Sequence, residues 1–234
     1  MATYATTDLH GHLNIYKQIK AFLKPEDTVY FLGDAGDRGP EPWETIKAIA
    51  ADKQFIYLKG NHEEMLAEAL RDYQSEYFGE WFTNLVQNGG WETFDQATKS
   101  EHIGDWIKLL SDLPEYKIYE SKSGALMLLC HSGLTPQLIG NRISLNDVLW
   151  NRKHFSDKWP EEVRSDMIVV HGHTNVFYMQ HQWNIPEDKR ETGALWYCDN
   201  HKICLDTATY DTGYAVLFDL DTFDEHYFFE NEEK

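Results

Sequence analysis

Carboxylate, amide and imidazole side chains recur in this sequence directly after short apolar runs. They form five groups, which are Asp8 with His10, Asp34 with Asp37 and Arg38, Asn61 with His62, His131 by itself, and His171 with His173. Mixed oxygen and imidazole donors suit Mn, Fe or Zn better than Ca or Mg, and none of the groups contains a cysteine. Because parallel strands carry their ligands at their carboxyl ends, the five groups are expected to meet at one edge and form a metal site.

The stretch from Gly33 to Gly39 is the most informative of these groups. It follows the run 29–32, which has the length and composition of a buried parallel strand. Its three glycines are expected to provide the positive φ angles and close backbone approach of a tight polar turn. Asp34 lies at the centre of the predicted sheet, so it is the natural carboxylate to bridge two metal ions. Asp8 and His10 are two residues apart, which places both on one face of an extended chain.

The elements that position these groups alternate between strand and helix. Strands are predicted at 2–7, 29–32 and 55–58, and helices at 13–23, 40–51 and 63–73. This alternation predicts a parallel sheet with crossover helices.

The rest of the chain is read as an insert, a second set of strands and one surface segment, all within a single domain over residues 1–234. The insert, at about 74–115, is expected to be mostly helical. The second set of strands is predicted at 117–119, 125–129, 167–170, 202–205, 214–218 and 225–229. The segment at about 182–196, with its dense mix of charges, is expected to be a surface excursion.

Composition limits the classes of partner. The net charge of −18 argues against a nucleic-acid binder, and it means that a phosphate site needs cations of its own. No apolar run approaches the ~20 residues of a membrane span, which argues against a membrane partner. The first residues lack the features of a signal peptide, and the three cysteines show no CxxC spacing, so we expect reduced thiols and a cytoplasmic location. Nothing indicates an oligomeric state.

Three blocks resemble the signature of a known family. They are Asp8-x-His10-Gly11, Gly33-Asp34-x-x-Asp37-Arg38-Gly39 and Gly60-Asn61-His62-Glu63, and in this order and spacing they resemble the calcineurin-like metallophosphoesterases of the phosphoprotein phosphatase group. Weaker matches occur at Asn88–Trp91, Val148–Arg152, Gly172–Thr174 and Asp206–Thr207. The resemblance implies an α/β fold, a four-layer αββα sandwich in which helices flank two mixed sheets.

The resemblance also implies a role for each matching residue. Two divalent ions, most simply Mn with Fe, Zn or Ni as alternatives, would be held by Asp8, His10, Asp34, Asn61, His131 and His173. The substrate phosphate would be held by Arg38, Arg152 and Asn61. His62 would be the general acid, and Asp37 would orient it. His171 departs from the simple pattern, and its role stays open between ligand and supporting residue.

These roles predict phosphoester hydrolysis. Two ions clamp phosphoryl oxygens and convert a bridging water to hydroxide near neutral pH, while a charged His62 can protonate the leaving alkoxide. The favoured substrates are phosphoserine and phosphothreonine in proteins, together with small phosphoesters. The alternatives are a diadenosine tetraphosphate hydrolase (a bis(5'-nucleosyl)-tetraphosphatase) or a broad small-molecule phosphoesterase. A binding scaffold without activity is a third hypothesis, which the full set of donor residues disfavours.

Two neighbouring residues allow other interpretations. Glu63 is either an acid that stabilises the first turn of a helix or a residue with a catalytic role. Cys130, beside His131, suggests a thiol nucleophile, but it ends an apolar strand with its side chain on the opposite face. A cysteine mechanism is therefore disfavoured.

Overall fold

The computed structural model of the protein describes residues 1–76, 79–133, 148–159 and 167–231. The helices in these ranges are Leu13–Phe22 (α1), Pro42–Ala51 (α2), Asn61–Gln74 (α3), Glu80–Gln87 (α4), Trp91–Thr98 (α5), Ile103–Asp112 (α6), Val176–Gln182 (α7) and Thr209–Thr212 (α8). The strands are Thr3–Thr6 (β1), Thr28–Phe31 (β2), Phe55–Tyr57 (β3), Tyr116–Glu120 (β4), Leu126–Cys130 (β5), Met167–His171 (β6), Leu195–Tyr197 (β7), Lys202–Cys204 (β8), Tyr214–Asp219 (β9) and Glu225–Phe229 (β10).

The strands form two mixed sheets of five strands each. In the first sheet the order is β10-β9-β1-β2-β3, with β1, β2 and β3 parallel and β9 and β10 antiparallel to their neighbours. In the second sheet the order is β4-β5-β6-β8-β7, with β5, β6 and β8 parallel and the two edge strands antiparallel. The predicted parallel strands are therefore correct. Antiparallel strands lie at one edge of the first sheet and at both edges of the second.

Alternation along the strands separates the core into layers. Val29 and Phe31 of β2 point toward α1, α2 and α3, where Ile15, Ile46 and Met65 are fully buried. Residues that follow the opposite alternation, such as Ala5 and Leu32, pack against Met127 and Val170 of the second sheet. A strand exposes successive side chains to opposite faces, so one sheet can contact helices on one side and the other sheet on the other. The result is the predicted pair of mixed sheets flanked by helices.

The predicted helical insert contains three helices in its described part. Helices α4, α5 and α6 cover most of residues 80–112, and α3 and α6 lie against each other. Trp43 of α2 contacts Trp106 of α6 with ring centroids 4.6 Å apart. The aromatic residues of the insert thus contribute to the core beside the first sheet.

The segment at about 182–196, expected to be a surface excursion, is exposed over most of its length but buried near its end. Gln182 is the last residue of α7, and Leu195–Tyr197 form β7, which pairs with β8. Leu195 is buried and Ala194 lies in the core between the sheets. This strand was not predicted because most of it lies within the charge-rich segment that was assigned to the surface.

None of the helices in the described ranges combines the length and the apolar character that crossing a bilayer requires. The three cysteines are free thiols.

Candidate active site

The predicted donor residues converge at one edge, where the parallel strands of both sheets end. Asp34 is at the centre of the cluster. Its Oδ2 lies 3.7 Å from His10 Nε2, 3.7 Å from His62 Nε2 and 3.4 Å from His131 Nε2. Asp8 is close by, with its Oδ1 3.8 Å from His10 Nε2. Side chains from three other strand ends therefore meet around the Asp34 carboxylate, and the carboxylates of Asp8 and Asp34 are both buried.

Asn61 and His173 complete the side of the cluster toward the second sheet. The Asn61 Oδ1 atom lies 2.8 Å from His131 Nε2 and 2.9 Å from His173 Nδ1. The backbone N–H of His173 donates to Asp8 Oδ2 at 3.1 Å. These contacts join residues up to 165 positions apart in the sequence.

The donor atoms form two overlapping groups that each could hold a metal ion. One contains His10, Asp34 and His62, and the other contains Asp34, His131 and His173, with Asp34 common to both. The Nε2 atom of His173 is buried without a hydrogen-bond partner among the described residues. A buried nitrogen without a partner is costly unless something binds it, so the set of residues fits a pair of divalent ions.

The imidazole rings of His10 and His131 are oriented as is usual for metal-binding histidines, with Nδ1 directed away from the donor cluster. His10 Nδ1 lies 2.9 Å from the Gly36 carbonyl, and His131 Nδ1 lies 2.9 Å from the Leu32 carbonyl. Donating Nδ1–H to a carbonyl fixes the ring and turns Nε2 toward the cluster. Burial opposes a charged His131, but Asp34 outweighs it and raises the pKa of this imidazole to about 9.

His62 and Asp37 form a buried hydrogen-bonded pair beside this cluster. The Asp37 carboxylate bonds His62 Nδ1 through one oxygen and accepts from the Thr93 hydroxyl through the other. Thr93 Oγ1 also accepts the backbone N–H of Asp37 at 3.1 Å. Burial opposes the imidazolium form, but Asp34 and Asp37 outweigh it and raise the pKa of His62. Thr93 was not predicted, since one threonine in a helical insert has no distinguishing signal.

Arg38 spans the mouth of the site. It donates from Nη1 to His10 Nε2 at 2.9 Å and from Nη2 to His62 Nε2 at 3.0 Å. Its guanidinium carbon lies 4.7 Å from the centroid of the Tyr210 ring, which is cation–π geometry. Tyr210 belongs to a helix of four residues and was not predicted.

Arg152 is exposed and less directly connected than Arg38. Its charge lowers the pKa of His173, after the larger effects of burial and of His131. No hydrogen bond joins its side chain to the cluster within the described ranges. The preceding residue is tied to the site, because the Asn151 N–H donates to the Ser132 hydroxyl at 2.9 Å. The phosphate-binding role of Arg152 therefore stays a prediction.

Glu63 is a structural clamp rather than a solvated first-turn acid. Its Oε2 accepts the N–H groups of Asp34 (2.8 Å) and Gly60 (2.7 Å). Its Oε1 accepts the N–H of Ala35 (2.9 Å) and the hydroxyl of Tyr57 (2.7 Å). The carboxylate thus fastens the loop after β2 to the start of α3, which agrees with a structural role.

We expect Glu63→Gln to destabilise the fold by about 2–6 kcal/mol. Each carboxylate oxygen of Glu63 accepts hydrogen bonds from two donors. The amide nitrogen of glutamine cannot accept, so in either orientation it leaves two buried donors unpaired, and each unpaired donor costs about 1–3 kcal/mol. Urea unfolding followed by tryptophan fluorescence measures the change. Glu68→Gln is the matched control on α3, because Glu68 only pairs with Arg71 at the surface, and it should shift stability by less than about 0.5 kcal/mol. Equal effects of the two substitutions would contradict the clamp.

The backbone of the site is left-handed at several non-glycine residues. Asp8, His10, Asp34, Asp37, Arg38 and His173 have φ between 41° and 68°. Of the glycines at 33, 36 and 39, which were expected to permit positive φ and close backbone approach, Gly33 has positive φ. Gly36 and Gly39 serve close approach instead, since a Cβ at Gly39 would lie 2.0 Å from the His10 carbonyl oxygen.

His171 and Cys130 point away from the donor cluster. His171 Nε2 lies 2.7 Å from the Tyr197 hydroxyl, and its ring contacts His154. Burial lowers the pKa of His171 to about 3. Cys130 packs with Leu128 and Val169 in an apolar cluster on the outer face of the second sheet, and burial raises its pKa to about 12. The geometry gives neither residue a place among the donors, and it argues against a thiol nucleophile.

The comparison with protein families identifies the class. Residues 1–205 match the family described as calcineurin-like phosphoesterase, and the chain belongs to that family. The family uses divalent metal ions and hydrolyses phosphoric esters. The resemblance drawn from the three sequence blocks is thereby confirmed.

Curated proteins with similar sequences include two that are named bis(5'-nucleosyl)-tetraphosphatases. One is the asymmetrical bis(5'-nucleosyl)-tetraphosphatase PrpE of Anoxybacillus flavithermus, 24% identical over 62% of this chain and 63% of that protein. Another is a symmetrical bis(5'-nucleosyl)-tetraphosphatase of Pseudomonas fluorescens, 28% identical over 58% of this chain and 44% of the relative. The chain therefore spans less than two thirds of the length of either relative.

Solved structures confirm the fold. A proposed diadenosine tetraphosphatase superposes with a TM-score of 0.64 over 96% of this chain and 91% of its own, at 16% identity. A protein serine/threonine phosphatase from Saccharomyces cerevisiae superposes with a TM-score of 0.57 over 100% of this chain and 81% of its own, at 14% identity. At such identities the similarity concerns the fold.

Proposed function

We propose that the protein is a hydrolase that uses two divalent ions to cleave phosphate esters or anhydrides at the Asp34 cluster. The observation that carries the proposal is the Asp34 Oδ2 atom, which lies within 3.4–3.7 Å of three imidazole nitrogens and belongs to both donor groups. Asp8, His10, Asn61, His131 and His173 would be the other ligands. Manganese is the simplest choice for this mixture of oxygen and imidazole donors, with Fe, Zn or Ni as alternatives.

The ions, when bound, would supply Lewis-acid stabilisation of the phosphoryl oxygens and an activated water. The side chains of the chain supply the remaining functions. Arg38 carries a forked guanidinium at the mouth of the site and can grip a phosphate with two parallel hydrogen bonds. Arg152 and the amide of Asn61 are proposed to assist it. These local cations offset the negative charge of the whole chain, because short-range charge in a buried site outweighs a screened distant field.

His62 is proposed to protonate the leaving group. Asp37 holds its Nδ1, and Asp34 and Asp37 favour the charged ring, which leaves Nε2 to carry the proton toward the cluster. An alkoxide or phosphate leaving group that receives this proton departs as a weaker base. Asp37 is thus proposed to position and charge the acid, and Thr93 to position Asp37.

For the substrate class, we favour dinucleoside polyphosphates. The support is that the two curated relatives are tetraphosphatases by name, and that the structure with the TM-score of 0.64 is described in the same way. This reverses the order of preference reached from the sequence alone. Phosphoserine and phosphothreonine in proteins are the second candidate, supported by the fold shared with the yeast phosphatase and by the block ending at Arg152.

One substrate panel separates these candidates. The purified protein is loaded with Mn²⁺ and given diadenosine tetraphosphate, a phosphothreonine peptide and p-nitrophenyl phosphate, and the nucleotide products are separated by chromatography. We expect the dinucleotide to have the highest kcat/KM, with two ADP indicating symmetrical cleavage and ATP plus AMP indicating asymmetrical cleavage. Turnover of the peptide alone would overturn the dinucleotide assignment. Metal binding without turnover of any substrate would favour the scaffold hypothesis.

A further inference from the structure

We propose that Arg38 is a displaceable cation, which bridges the Nε2 atoms of His10 and His62 and must leave the His10 nitrogen before a divalent ion can bind there. The inference rests on the metal site of the proposed function. It assigns to Arg38 a second role besides gripping phosphate. Arg38 thereby becomes a side chain with two positions, and metal binding changes the balance between them.

The first argument is the hydrogen bonding of the two imidazoles. Arginine carries donors only, so Arg38 at 2.9 Å and 3.0 Å must use the Nε2 lone pairs of His10 and His62. The opposite nitrogens fit this tautomer, because His10 Nδ1 faces the Gly36 carbonyl and His62 Nδ1 faces the Asp37 carboxylate. A lone pair that accepts from Arg38 cannot bind an ion at the same time.

The second argument is the position of the guanidinium relative to the carboxylate. The two nitrogens that Arg38 bridges are each 3.7 Å from Asp34 Oδ2. Together with that oxygen they are the first of the two candidate ion-binding groups. Arg38 thus occupies the Nε2 atom of His10, a proposed ligand, and it supplies positive charge beside the Asp34 carboxylate that a divalent ion would use.

The third argument is that Arg38 is held in this position from outside the cluster. The Tyr210 ring lies 4.7 Å from the guanidinium carbon and 5.7 Å from the His10 ring, so it covers both. Arg38 Nε donates to the Asn88 carbonyl at 3.3 Å, and its backbone N–H donates to the Gly89 carbonyl at 3.2 Å. Because Arg38 is exposed, its side chain can swing toward solvent and a bound phosphate without unpacking the core.

The displacement would also free His62. While Arg38 donates to it, His62 Nε2 is occupied as an acceptor and is not available to a leaving group. When Arg38 leaves, the same nitrogen is free to face the substrate, while Nδ1 stays with Asp37. A single movement would therefore open a ligand nitrogen on His10, release the proposed acid and present a guanidinium to phosphate.

The affinity of the Arg38→Met variant for Mn²⁺ tests whether Arg38 and the ion compete for the same site. Arg152→Met is the matched control, because Arg152 is also an exposed arginine whose charge acts on the site, yet no hydrogen bond joins it to the cluster in the described part of the chain. Isothermal titration with Mn²⁺ should show at least one site that binds about 10-fold more tightly in Arg38→Met than in Arg152→Met, the effect of removing two ordinary hydrogen bonds. Loss of one positive charge alone would raise affinity equally in both variants.

Thermal unfolding provides a readout independent of titration. After EDTA treatment, Arg38→Met should melt about 2–4 °C below Arg152→Met, and saturating Mn²⁺ should remove this difference. After EDTA treatment, Tyr210→Ala should also lower the melting temperature, by less than Arg38→Met does. Tyr210→Phe keeps the ring face and should melt at the wild-type temperature. Equal Mn²⁺ affinity of the two methionine variants would overturn the role of Arg38 and leave the proposed function intact. Failure of the wild-type protein to bind Mn²⁺ would overturn both.

Discussion

Asp34→Asn is expected to lower the turnover of every substrate by more than about 100-fold and to reduce the Mn²⁺ content of the purified protein. The Asp34 Oδ2 atom is shared by the two donor groups, so an amide removes a charged ligand from both at once. Substitution of a residue that only supports a metal ligand lowers metal affinity or activity about 10–100-fold. Substitution of a ligand shared by two ions should lower them further. The fold should survive, because an amide oxygen can still accept the His62 N–H that Asp34 Oδ1 accepts at 3.1 Å.

Asp27→Asn is the control for this substitution. Asp27 is also buried, but it accepts the N–H groups of Ala2 and Lys24 and lies just before β2, at the opposite end of that strand from Asp34. Elemental analysis of both variants, together with circular dichroism, separates loss of metal from loss of fold. A folded Asp34→Asn protein with full metal content and activity would rule out the shared-ligand role.

His62→Asn is expected to lower kcat about 10²–10⁴-fold for substrates with a poor leaving group, the usual size of a general-acid contribution. The effect should be much smaller for p-nitrophenyl phosphate, because p-nitrophenolate departs without a proton. A structural defect would lower both rates by the same factor. The ratio of the two rates therefore isolates proton transfer from folding and from substrate binding.

Metal content and the Asp37 variant complete this test. Mn²⁺ binding should persist in His62→Asn, since the proposed ligands do not include His62. Asp37→Asn should show the same dependence on leaving group with a smaller loss, because Asp37 acts through His62. If His62→Asn hydrolysed both classes of substrate at the wild-type rate, His62 would have no part in the mechanism.

The donor residues were readable from the sequence because strand ends impose a pattern. A parallel strand buried on both faces is a short apolar run, and the residues immediately after its last position lie at the ligand edge of the sheet. Asp34 and Asn61 come after β2 and β3 in this way, and His131 comes after β5. The same reasoning could not find β7, which lies at the end of a charge-rich segment, and it could not give the order of the strands in the two sheets, which is set by packing across the molecule.

Side chains that reach the site from elsewhere had no such pattern. Tyr210 comes from a helix of four residues that begins after a left-handed Ala208, and Thr93 comes from the insert. Glu63 was recognised from its position in a block, but the donors that define its function are up to 29 residues away. His171 could not be assigned by spacing, because only the three-dimensional position of Tyr197 shows which way its ring is turned.

The left-handed backbone around Asp34, Asp37 and Arg38 has a consequence for engineering. Such conformations cost roughly 1–2 kcal/mol per residue in an isolated peptide, although aspartate tolerates them better than most residues do. Here the turn is fixed by the Glu63 carboxylate and by the turn at Asn88 and Gly89. The heptapeptide is therefore not a portable module: grafted alone into a foreign scaffold, it would relax and scatter its carboxylates. A successful transplant must include the first turn of α3 and the turn at Asn88 and Gly89.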